Sequence, residues 1–148
     1  MKRYLLLLLC FLILIFSGCS ETKEEKLPAI KVDFMHYNIS GTHLLQINEA
    51  KDVMINRSEA TTLYLEPPFP GIHIFAYRGL DRTPITYVPL DEEGDNITAY
   101  IGFEKPEDVP EKNDRVLVVI EVVEFKEGKF QTVDSRSVNI VWNIEYER

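Results

Sequence analysis

Side chains able to do chemistry are few in this chain and poorly spaced for it. Both cysteines, Cys10 and Cys19, lie within the first nineteen residues, so the remainder has no thiol nucleophile, disulfide or sulfur metal ligand. The histidines are His36, His43 and His73, and their spacing fits no HExxH-type metal motif. Sheet pairing can bring two of them together near a carboxylate such as Asp33, but zinc usually takes three or four ligands. No metal site is expected from them. The acidic run Asp91-Glu92-Glu93-Gly94-Asp95-Asn96 has oxygen ligands that calcium can use. It lacks the ligand order of an EF-hand and its closing bidentate Glu, so it reads as a solvated turn. Ser40, Ser58, Ser135 and Ser137 stand in no GxSxG or SxxK context, and there is no glycine-rich phosphate loop. No catalytic residue and no cofactor is expected, and the chain is read as a non-enzyme.

Cys19 is the exception, through its position. Lys2 and Arg3 precede an almost wholly apolar run from Tyr4 to Phe16, followed by Ser17, Gly18 and Cys19. A short basic segment, an apolar core and small residues make a secretory signal peptide. The apolar stretch is short of the roughly 20 residues that a membrane-spanning helix needs. The run Phe16-Ser17-Gly18-Cys19 resembles the lipobox of bacterial lipoproteins, with Phe16 where that family most often has Leu. The resemblance covers residues 1–20. It implies that the thiol of Cys19 is diacylglycerated, that the leader is cut before it, and that the new amino terminus is acylated. Two or more chains anchor a protein stably where one does not. Ser20, where inner-membrane members carry Asp, implies an outer-membrane address in a two-membrane cell. In a one-membrane cell the same anchor implies the outer face of the cell membrane.

The organisation expected is a signal peptide (1–18), a lipidated cysteine with a short polar tether (19–29), and one domain (30–148). Residues 20–29 are charge-rich with one proline, and extended they reach roughly 30 Å from the lipid. The part from Cys19 onward carries 24 acidic and 14 basic side chains, a formal net charge of −10. That balance argues against nucleic-acid binding, which relies on Lys and Arg at phosphates. It also opposes adhesion to an anionic leaflet, leaving the lipid on Cys19 as the membrane hold.

The elements that must position any site read as strands. Ile30, Val32 and Phe34 alternate with Lys31 and Asp33, as on a half-buried strand. His43–Ile47 is a second strand candidate, although Ile47, Ala50 and Met54 would also share one face of a short helix over 44–55. Thr61–Leu65 reads as a strand that the proline-rich EPPFPG segment (66–71) ends. Ile72, Ile74 and Ala76 then oppose His73, Phe75 and Tyr77. Residues 84–90 resemble an edge strand, and 97–103 a further one. Arg115–Phe125 is apolar on both faces as far as Ile120, the pattern of a central covered strand. Lys126-Glu127-Gly128-Lys129 closes a hairpin. Val138, Ile140, Trp142, Ile144 and Tyr146 alternate on one face to the end of the chain. These elements predict an all-β, two-sheet antiparallel sandwich, immunoglobulin-like or transthyretin-like, with at most one short helix.

With the catalytic inventory empty, the expected role is a membrane-anchored structural or protein-interaction module of the cell envelope. The alternatives are a small-molecule or glycan binding domain and an enzyme of unknown class. Candidate partner contacts are Phe69, held in a proline-stiffened loop, and Phe75 and Tyr77, facing away from Ile72 and Ile74. A rigid loop loses little entropy when it docks an aromatic.

Overall fold

The computed structural model describes residues 24–59, 69–82, 85–88, 90, 96–103 and 105–147. These residues form two antiparallel sheets packed face to face. One sheet contains β1 (Lys26–Ile39), β2 (Thr42–Asn56) and β5 (Asn96–Gly102), in the order β2-β1-β5. The other contains β3 (Gly71–Arg78), β4 (Ile85–Val88), β6 (Arg115–Lys126) and β7 (Lys129–Val141), in the order β4-β3-β6-β7. Two three-residue 3-10 turns, Arg57–Glu59 and Pro106–Asp108, are the helical elements among the described residues.

The inner faces follow the apolar alternation. Ile30, Val32 and Phe34 from β1 meet Ile74 and Ala76 from β3 and Val118, Ile120 and Val122 from β6, all fully buried. The strand β6 is central, paired with β3 on one side and β7 on the other, as its two-faced apolar pattern requires. The short β4 is an edge strand. Both long hairpins close through two-residue loops with positive φ, Ser40-Gly41 (53° and 85°) and Glu127-Gly128 (54° and 72°). These are the dihedral signs of type I′ turns, whose twist matches that of the flanking strands.

Three expectations are corrected. The first strand starts at Lys26, so residues 26–29, expected in the tether, belong to the sheet, paired with Val53–Asn56. Pro28 is accommodated because β5 pairs with β1 only from Ala29 onward, so its missing N–H costs no bond on that side. The segment 44–55 is strand throughout, with no helix. Its register shifts between Asp33↔Glu49 and Phe34↔Ile47, leaving Asn48 as the extra residue of a bulge. Finally, the ladder of β7 ends at Val141, opposite Arg115 where β6 begins, although Trp142, Ile144 and Tyr146 still pack on the core. Backbone bonds to an adjacent loop take over there: Trp142 N donates to Asp114 O (2.9 Å) and Asn113 N to Trp142 O (2.7 Å).

The edges β2 and β7 lie side by side and are stitched by carboxylates. Leu45 N donates to Asp134 Oδ2 (2.8 Å), and Asn143 N to Asp52 Oδ2 (3.1 Å). Side-chain acceptors on edge N–H groups blunt the tendency of an open edge to recruit another strand. The expected strand at 61–65 lies outside the described residues.

Candidate interaction surface

The outer face of the β4-β3-β6-β7 sheet carries a second apolar cluster of Phe75, Tyr77, Val119 and Val123, with Ile85, Tyr87 and Leu117 packed against it. It exists because β3 and β6 are apolar on both faces. Through it runs a chain of rings. Phe69 stands 5.0 Å from His73, His73 5.5 Å from Tyr87, and Tyr87 6.3 Å from Phe75. Phe75 stands 6.1 Å from Phe130, which is 4.8 Å from Phe125. Such separations are those of favourable edge and offset aromatic contacts.

Exposure divides the expected contact residues. Phe69 is 56% exposed, whereas Phe75 and Tyr77 are buried at 2% and 7%. Phe75 therefore backs the exposed ring of Phe130, and neither Phe75 nor Tyr77 has more than a trace of surface to offer a partner. Phe130, which the sequence did not single out, is 44% exposed and takes their place beside Phe69 as a surface ring. Fully buried His73 fixes Phe69: its Nε2 lies 2.6 Å from Phe69 O, and since a carbonyl only accepts, Nε2–H is the donor. His73 Nδ1 is buried with no partner among the described residues.

The pairing places these rings at one end of the sandwich. Gly71 pairs with Phe125, next to the β6–β7 turn, and Phe69 stands just before Gly71. The bond from Leu45 to Asp134 brings the β1–β2 turn to the same end, with Ile39 exposed. Lys26 opens β1 at the other end of this fourteen-residue strand, about 45 Å away at the rise of an extended strand.

A polar centre lies beside the ring chain. Glu121, directly opposite Phe75 on β6, is 5% exposed. Its Oε2 accepts from Arg82 Nη2 (2.6 Å) and more distantly from Tyr77 Oη (3.3 Å), and Thr132 Oγ1 donates to Oε1. The Arg82 guanidinium also lies over the Tyr77 ring, 5.3 Å from its centroid. Burial, and then the negative charge of Glu121, push the Tyr77 hydroxyl above the usual tyrosine range. The arrangement is fully bonded around the carboxylate and reads as structural: it holds the turn that bears Arg82 against the sheet.

His36 and His43 do meet, across the β1–β2 hairpin, with Nε2 and Nδ1 3.0 Å apart. Asp33 is not part of that pair; it binds Lys31 (2.8 Å) and Thr98 (2.5 Å). Burial alone would raise its pKa, but these hydrogen bonds outweigh it and hold the carboxyl below its usual range. Among the described residues no group of three or more His, Cys, Asp or Glu is placed to hold a metal. Of the acidic run, 91–95 lie outside the described residues, as does Cys19. No described helix is long and apolar enough to cross a membrane.

Comparison with protein-family models, with curated proteins and with solved structures returns no match.

Proposed function

We propose that this protein is a lipid-anchored, non-catalytic interaction module of the bacterial cell envelope, held at Cys19 and engaging an envelope protein through the aromatic end. The observation that carries the reading is polarity along the long axis. The first strand begins at Lys26 at one end of the sandwich, and the exposed rings of Phe69 and Phe130 lie at the other. A domain leashed at one end presents the other to its surroundings. Apolar rings held by buried supports make an inexpensive contact, because little side-chain freedom remains to be lost on docking. The anchor is outer-membrane in a two-membrane cell and on the outer face of the membrane otherwise.

Anchoring is tested by Cys19→Ala. The variant is expected to accumulate at precursor size without incorporating labelled fatty acid. Maturation and labelling equal to the unsubstituted chain would contradict lipidation.

A further inference from the structure

The tethered end of the sandwich carries an open cleft of about 450 Å³ lined by charges of both signs. Arg78, the last residue of β3, and Arg115, the first of β6, enter it, and so do Asp81, Asp108 and Asp114. Among the described residues no ion pair joins either arginine to a carboxylate. Arg78 is half-buried, its guanidinium 4.8 Å from the Phe103 ring centroid and its Nε buried without a partner. A buried guanidinium N–H with no acceptor is costly unless a ligand supplies one. Charges of opposite sign held apart in one cleft match a ligand that itself carries both. The volume lies within the range of small-molecule sites.

The location narrows the source. Phe103 follows β5, whose Gly102 pairs with Ala29, so the cleft is at the end where β1 leaves the tether. Leu80, in the turn between Arg78 and Asp81, is 87% exposed. An exposed leucine beside two arginines suits a membrane interface, where apolar groups enter the lipid and long cationic side chains stay at headgroup level.

We propose that this cleft binds a phosphate-plus-amine zwitterion of the phosphoethanolamine type. Arg78 and Arg115 take the phosphate, in the fork geometry that guanidinium offers such oxygens, and Asp108 and Asp114 take the ammonium. A zwitterionic headgroup is also the one that an acidic domain can approach without net repulsion. The membrane as source rests on the anchored reading; the cleft chemistry does not.

Trp142 reports on the site. It is the only tryptophan, its ring packs edge-on to Phe103 (5.4 Å), and its backbone N–H is bonded to Asp114 O. The full chain, in a sugar-headgroup detergent, is titrated with O-phosphoethanolamine, inorganic phosphate and ethanolamine. Trp142 emission and the phosphorus NMR line of the ligand are followed together. Saturable binding of phosphoethanolamine is expected, weakened about tenfold or more by Arg78→Gln and by Arg115→Gln. Arg115 is exposed, so its substitution leaves the packing untouched. Absence of saturation, undiminished binding in both variants, or inorganic phosphate binding as tightly as phosphoethanolamine would each overturn the proposal. The chain is also reconstituted in nanodiscs of phosphatidylglycerol with and without phosphatidylethanolamine. An emission change confined to discs containing phosphatidylethanolamine assigns the membrane source. Equal emission in both, with saturation in detergent, assigns a free phosphoamine.

Discussion

Replacing Trp142 with alanine should lower the stability of the domain by about 3–5 kcal/mol, the usual cost of removing a buried indole. Trp142 is fully buried in the main core, and it lies one residue beyond the end of the β7 ladder. Its side chain and its backbone bonds with Asn113 and Asp114 together hold the final segment where sheet pairing has stopped. The melting temperature should fall by roughly 10–20 °C for a domain of this size. Trp142→Phe should recover most of the loss. Nε1 has no partner among the described residues, so phenylalanine forfeits packing volume but no hydrogen bond. Urea unfolding of the three proteins checks this, and a loss under ~1 kcal/mol for alanine would show that the tail is not held by the core.

Glu121→Ala should cost about 2–3 kcal/mol, less than breaking a fully buried ion pair. The discount arises from Arg82, whose side chain is 40% exposed against 7% for Glu121 and which can return to water. Thr132 and Tyr77 lose an acceptor in the same step. Glu121→Met should be milder, because the neighbours on that face include Phe75, Tyr77 and Val123 and can receive an apolar side chain. In a double-mutant cycle, Arg82→Ala should add little once Glu121 is gone. Additive losses in denaturant unfolding would mean that the pair contributes nothing as a pair.

The alternation of apolar residues carries the fold, and the structure departs from it where local geometry breaks the period of two. Asn48 is an extra residue in β2, so the inward positions run Leu45, Ile47, then Ala50. The step of three at the bulge is what gave Ile47, Ala50 and Met54 the spacing of a helix face. At the C-terminus the alternation of Val138 to Tyr146 correctly named the side chains that face the core, but hydrogen-bonded pairing also needs a partner strand, and β6 begins at Arg115. The aromatic surface was half legible. Phe69 followed from its prolines, whereas the burial of Phe75 and Tyr77 follows from the two-faced sheet, a tertiary property. Phe130 gained its role by standing opposite Phe125 across the hairpin. Glu121 does carry a sequence signal, since a lone acid inside the apolar run Val116–Val123 requires a partner when buried. The Arg78–Arg115 cleft unites residues 37 positions apart and had no local signature.

The central claim, an anchored domain that engages a protein at its far end, is tested by site-specific photo-crosslinking in intact cells. The photoreactive residue is placed at Phe69, exposed at the aromatic end, or at Leu80, exposed at the end where the first strand begins. A discrete protein adduct is expected from position 69 and none of that size from position 80. No adduct from position 69, or the same adduct from both, would contradict the account.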